Sequence, residues 1–215
     1  MAVGVMRASK VYGAVRALRT VSCAFEWGTV TVVQGGNGSG KSTLLALVAG
    51  RGRPTSGAVV YGDGLGGEHG LERGVVGWAG HESLCYGDLT GRENIELGAR
   101  LYGLDVGEAY REAAARFDLG SFAERALRTY SRGQRQRISI ARSLLHRPKL
   151  VVMDEPTAGL DAGSCGVLVL AVREEARRGA VVVVATHDDG FAQAIADGRI
   201  RLDGGRLVTG GAGCG

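Results

Sequence analysis

Nine consecutive residues, Gly35, Gly36, Asn37, Gly38, Ser39, Gly40, Lys41, Ser42 and Thr43, carry the densest chemistry in the chain. Gly35, Gly40, Lys41 and Ser42 meet the spacing G-x-x-x-x-G-K-[ST], in which glycines turn backbone N–H groups toward phosphate oxygens. Lysine occurs only at positions 10, 41 and 149, so Lys41 is not one of many surface lysines. It is placed to reach terminal phosphates, and the Ser42 hydroxyl to bind Mg²⁺. A second constellation is the apolar run from Leu150 to Met153 that ends in Asp154 and Glu155. Neighbouring residues leaving a strand point to different sides. Asp154 is therefore assigned to the metal and Glu155 to an attacking water as general base. Apolar runs often stop at acids; beside a phosphate loop the pair reads as triphosphate hydrolysis. The third constellation, Tyr130 to Gln134, opens a stretch with Ile138, Ala141, Leu144 and Leu145 on one helical face. It offers an anion a second helix N-terminus, and taken alone it is equally an ordinary capped helix.

The elements around these residues must aim them at one point. A β-branched run, Thr29 to Val33, precedes the loop and an apolar stretch, Leu44 to Ala49, follows it: strand, loop, helix. Leu150 to Met153 and Ala180 to Ala185 suit short strands buried on both faces of a parallel sheet. Ligands of such sheets sit at the carboxyl ends of the strands, where Asp154 and Glu155 emerge. Val167 to Arg178 reads as a crossover helix. Val3 to Arg7, Val21 to Glu26 and Ala58 to Tyr61 read as strands of a small neighbouring sheet. Residues 82–130 change character, with helical spacing over Glu93 to Tyr102 and Glu108 to Phe117, and form an inserted helical subdomain. Residues 1–209 are expected to be one domain, with a glycine-rich tail over 210–215.

A chain of 215 residues with 45% hydrophobic and 22% charged residues can bury a full core. No apolar run approaches the roughly 20 residues of a membrane span, and no basic segment with a long apolar run opens the chain. A cytoplasmic protein, held at a membrane only by a partner, is the expectation. The net charge of +4 comes almost wholly from scattered arginine, without the basic block that would indicate nucleic acid. Cys23, Cys85, Cys165 and Cys214 are too far apart for a C-x-x-C metal or redox pair.

Taken together and in order, these motifs resemble the ATP-binding subunits of ATP-binding-cassette (ABC) transporters over nearly the whole chain. The resemblance rests on Tyr12, the loop 35–43, the segment around His81, Tyr130-Ser-Arg-Gly-Gln134, Leu150 to Pro156 with Ala158 to Asp161, and Ala185 to Asp188. It implies an α/β fold of the P-loop NTPase ABC type: a mostly parallel core sheet, an N-terminal antiparallel β subdomain and an inserted α-helical subdomain. It implies ATP and Mg²⁺ as ligands, Tyr12 stacked on adenine, and His187 on the γ-phosphate. Ser131, Arg132, Gly133 and Gln134 would meet the nucleotide of a second copy across an ATP-dependent homodimer, with Asp161 at the interface. Partners would be integral membrane permease subunits at the cytoplasmic face of the inner membrane, with the segment from His81 to Tyr102 facing them; no nucleic acid is implied.

Two departures stand out. His81 occupies the position where the family usually has a metal-side glutamine, and Tyr130-Ser-Arg-Gly-Gln134 replaces the usual LSGGQ. With the stretch from Gly80 to Ile95, they resemble the haem exporters of cytochrome c biogenesis. The alternatives are an ATPase of another exporter, of drug, lipid or other substrate, and a non-transport cassette ATPase of DNA repair or translation. A GTPase is disfavoured, because no Asn-Lys-x-Asp run is present to read guanine.

Overall fold

The computed structural model describes residues 1–66, 70–72, 74–80 and 83–208. Nine strands are described: β1 Val3–Tyr12, β2 Val15–Phe25, β3 Val30–Gln34, β4 Ser56–Tyr61, β5 Val76–Ala79, β6 Leu150–Asp154, β7 Val181–Ala185, β8 Gly198–Asp203 and β9 Arg206–Val208. Six α-helices accompany them: α1 Lys41–Val48, α2 Gly91–Leu101, α3 Val106–Arg116, α4 Arg132–Leu144, α5 Ala162–Arg177 and α6 Asp189–Ile195.

The central sheet has the order β5-β6-β7-β3-β8-β9, and only β9 runs antiparallel to its neighbour. Every residue of β6 and β7 is buried. Side chains alternate across a strand, so a strand covered on both faces must be apolar throughout. Val151, Met153, Val182 and Val184 face a core closed by α4, α5 and α6. Leu150, Val152, Val181 and Val183 face the opposite core, closed by α1 and the second sheet.

That second sheet is antiparallel, in the order β2-β1-β4. Its inner face buries Val3, Val5, Ala8, Leu18, Val21 and Phe25 against α1. Between β5 and β6 lie α2, α3, two 3-10 turns at Gly120–Glu124 and Leu127–Thr129, and α4. Thr90 and Glu93 close a capping box at α2, and Asp105 caps α3. Phe117, Leu119, Leu127 and Tyr130 carry the α-helical layer into the core beneath the sheet. An ion pair from Arg116 to the buried Glu175, 2.8 Å, ties α3 to α5. The fold is thus the α/β P-loop architecture expected, with a small antiparallel sheet at its N-terminal side. Among the described residues no helix is long and apolar enough to cross a membrane.

Several elements exceed their expected bounds. β1 and β2 run on into a hairpin around Gly13, where φ is +56°. α5 begins five residues before Val167, because Asp161 accepts a hydrogen bond from the Ser164 N–H at 2.8 Å and starts the helix there. The expected tail at 210–215 lies outside the described residues.

Candidate functional site

Strands β6, β7 and β3 are consecutive neighbours in the sheet and parallel, so their carboxyl ends open side by side. From β3 the chain enters the phosphate loop. Gly35, Gly38 and Gly40 all hold positive φ, of 149°, 75° and 103°. A Cβ on Gly35 would fall 2.3 Å from the Leu202 carbonyl oxygen, and one on Gly40 2.5 Å from that of Ala17. The loop is seated on β8 and β2, and no side chain fits beneath it. Above it, a Cβ on Gly36 or Gly38 would meet nothing within 4 Å, so the upper side lies open. The Lys41 ammonium donates to the carbonyls of Gly35 at 2.8 Å and Gly36 at 3.1 Å, which holds it across the loop. Ser42 is exposed in the first turn of α1.

The start of α1 differs from the other five helices. Those are capped by Thr90, Asp105, Ser131, Asp161 and Asp188, whereas α1 follows Gly40 with no side-chain cap and no acid in its first turn. Its leading N–H groups and the positive end of its dipole are left for an external anion. The Ser39 hydroxyl oxygen, buried in the same loop, has no hydrogen-bond partner among the described residues. A triphosphate fits this cradle.

Asp154 ends β6, 5% exposed, and Glu155 turns away from the strand at φ +50°. The Glu155 N–H bonds the Ala185 carbonyl at 2.8 Å, locking this turn to the end of β7. From the chain beyond β7, His187 reaches back: its Nδ1 lies 2.8 Å from Glu155 Oε2, and its backbone N–H donates to the same oxygen at 3.3 Å. Thr186 is fully buried and accepts from the Asp188 N–H at 3.1 Å, and Asp188 caps α6. A hydroxyl on Ser42 and a carboxylate on Asp154 are hard oxygen donors. That set suits Mg²⁺, which takes few protein ligands and completes its shell from phosphates and water.

Ser131 and Gln134 form a reciprocal capping box at the start of α4, each bond 3.2 Å. Gly133 is needed there, since a Cβ would fall 2.3 Å from the Gly159 carbonyl oxygen. Arg132 lays its aliphatic stem over Gly159, whose φ is +79°. The N-termini of α4 and α5 are therefore packed as one unit, with Asp161 capping α5. Its backbone bond from Ser164 holds the Asp161 carboxyl below the ordinary range. A cleft of about 820 Å³ joins Arg132 and Arg135 to Asp154 and Glu155. Tyr12, 53% exposed, stands at the tip of the β1–β2 hairpin. His81 lies outside the described residues.

A second groove, of about 640 Å³, runs between the sheet edge and the helical layer. Trp78, Leu84, Leu101, Tyr102, Arg142 and His146 line it. Leu84, Tyr86, Leu101 and Tyr102 are all exposed in this region. Tyr102 stacks on His146 with ring centroids 3.8 Å apart. Cys85 lines both this groove and the cleft at Glu155. The loop bearing Cys85 is pinned by Asn94, which is fully buried: its Oδ1 accepts from the Tyr86 N–H at 2.7 Å, and its Nδ2 donates to the carbonyls of Tyr86 and Thr90. Sequence reasoning passed over Asn94, the fourth residue of α2, because an asparagine in a first helical turn is ordinary and signals nothing by itself.

A family profile described as "ABC transporter" matches residues 18–158. The daunorubicin resistance ATP-binding protein DrrA3 of Streptomyces coeruleorubidus is 34% identical, over 98% of this chain and 68% of that protein. The glutamine transport ATP-binding protein GlnQ of Escherichia coli is 33% identical, over 94% of this chain and 88% of that protein. The dimeric structure of a post-hydrolysis state of the ATP-binding cassette MJ0796, bound to ADP and Pi, superimposes with a TM-score of 0.85 at 27% identity. It covers 95% of this chain and 96% of the other.

Proposed function

The chain belongs to the ABC transporter family as an ATP-hydrolysing, ATP-binding subunit, and from that premise we propose how its residues divide the work. The reading rests on the convergence of the phosphate loop, Asp154–Glu155 and His187 at the ends of three adjacent strands. Gly35 to Thr43 cradle the phosphates and Lys41 neutralises the terminal ones. Ser42 and Asp154 hold Mg²⁺, which when bound neutralises charge on the phosphate oxygens. Glu155 takes a proton from the attacking water, and His187 orients Glu155 and faces the γ-phosphate. Tyr12 carries the adenine. His81 takes the place of the glutamine common in the family.

Ser131, Arg132, Gly133 and Gln134 complete the site of a second copy, with Asp161 at the interface between the two. ATP then closes a head-to-tail homodimer and hydrolysis reopens it. The rigid packing of Gly133 on Gly159 supports this, because it links the face offered to the other copy with the chain leaving Glu155. The dimer in the MJ0796 structure supports it as well. The groove around Leu84 and Tyr102 receives integral membrane permease subunits, so the subunit works peripherally at the cytoplasmic face of the cell membrane. Exposed apolar and aromatic side chains beside a concave surface are what such docking requires.

The transported substrate is proposed as haem or a related factor of cytochrome c biogenesis. This rests on the stretch from Gly80 to Ile95 and on Arg132 within Tyr130 to Gln134. The likeness to DrrA3 favours a second reading, an exporter of a drug-like molecule. Affinity purification of the tagged chain from detergent-solubilised membranes tests the assignment. An integral membrane protein recovered in stoichiometric amount supports a transporter, and recovery of nucleic acid in its place contradicts it.

A further inference from the structure

Tyr12 is exposed at the edge of the site, yet it does not stand alone. The Lys10 ammonium lies 5.0 Å from the centroid of the Tyr12 ring, inside the range of a cation–π contact. The same ammonium donates to the Arg53 carbonyl oxygen at 2.7 Å. That carbonyl is itself fixed, because the segment after it is stitched to β1. The Thr55 N–H bonds the Ser9 carbonyl at 2.7 Å, and the Val11 N–H donates to Thr55 Oγ1 at 3.1 Å. Lys10 is thus a short brace between an anchored carbonyl and one face of the ring. On this hairpin tip Val15, paired opposite Tyr12, is itself 65% exposed.

We propose that Lys10 is a positioning residue for the nucleobase: it holds the Tyr12 ring, covers one face, and leaves the other as the single platform for adenine. This rests on the reading of Tyr12 as the adenine contact. A cation on one face draws π density toward itself, and the far face becomes a better partner for the electron-rich purine. Lys10 is also one of three lysines in an arginine-dominated chain.

The test uses the full chain with ATP and with inorganic tripolyphosphate, which has charge but no base. Lys10→Met keeps length and loses charge. Its affinity for ATP should fall about two- to fivefold, the worth of an exposed cation–π contact, with KM raised and kcat held. Tripolyphosphate affinity should stay unchanged, and Lys10→Arg should restore ATP affinity. Tyr12→Ala with Lys10→Met should bind ATP no more weakly than Tyr12→Ala alone. Equal losses for ATP and tripolyphosphate, or full additivity with Tyr12→Ala, would overturn the inference in favour of a general charge effect. Weak binding by Tyr12→Ala with none of it reproduced by Lys10→Met overturns this inference alone. Wild-type ATP affinity in Tyr12→Ala overturns the adenine reading and this inference with it.

Discussion

His187 Nδ1 stands 2.8 Å from Glu155 Oε2, and the His187 backbone N–H reaches the same oxygen at 3.3 Å. One residue thus holds the carboxylate twice, once by its ring and once by its main chain. A neutral imidazole that donates through Nδ1 has a bare lone pair on Nε2, and a lone pair cannot donate to a phosphate oxygen. Donation to carboxylate and phosphate together needs the imidazolium. The ring so placed is in position to aim Glu155.

His187→Ala should therefore lower kcat by about two orders of magnitude, in the range expected when a general base loses its alignment. ATP affinity should change little, because the phosphate loop is untouched. Steady-state hydrolysis beside equilibrium ATP binding separates the two. A normal kcat would show that Glu155 needs no help from His187.

The groove makes a different prediction. Leu84→Asp or Leu101→Asp places a charge on an exposed apolar side chain, so folding should be spared. At a docking surface such a change typically costs more than about 1–2 kcal/mol of association. The membrane-bound fraction in fractionated cells should drop several-fold while ATP binding by the purified chain stays normal. Full membrane retention of both variants would place the docking surface elsewhere.

His146 provides a pH signature. Burial lowers its pKa from the ordinary 6.5, although the Val76 carbonyl, at 3.2 Å from Nε2, and Glu175 favour the charged form. The folded state holds His146 neutral over a range in which the unfolded chain has already taken up a proton. Its contribution to stability is therefore present above about pH 6.5 and is lost as pH falls through the lowered value. His146→Phe can keep the stack on Tyr102 and cannot titrate. Its melting temperature should fall less steeply than that of the wild type between about pH 7 and 5. Parallel slopes would remove His146 from the acid response.

The loop 35–43 and the run into Asp154 and Glu155 were legible in the sequence because each is local: a few residues with fixed spacing dictate the local conformation. β6 and β7 were legible for a related reason, since a strand buried on both faces has no polar positions to blur it. The β1–β2 hairpin was only half legible. Arg7 and Thr20 adopt positive φ, of 47° and 55°, and register shifts at these bulges interrupt the alternation that marks a strand. β8 escaped notice because its outward positions, Arg199 and Arg201, make the segment read as a charged turn. In the first turns of α5, Gly163 to Gly166 are weak helix formers, and the Asp161 cap and the packing of Gly133 on Gly159 specify the start of the helix. The contact between Glu155 and His187 joins residues far apart in the chain, and no local spacing announces it.

Glu155 is proposed to activate water for hydrolysis of ATP held between two copies of this chain. Size-exclusion chromatography of Glu155→Gln with ATP and Mg²⁺, read beside its turnover, tests it most directly. The amide keeps the shape of the carboxylate and cannot take the proton. The variant should bind ATP, elute as a dimer only when ATP is present, and hydrolyse at least about a hundredfold more slowly than the wild type. A monomeric profile together with wild-type turnover would contradict the claim.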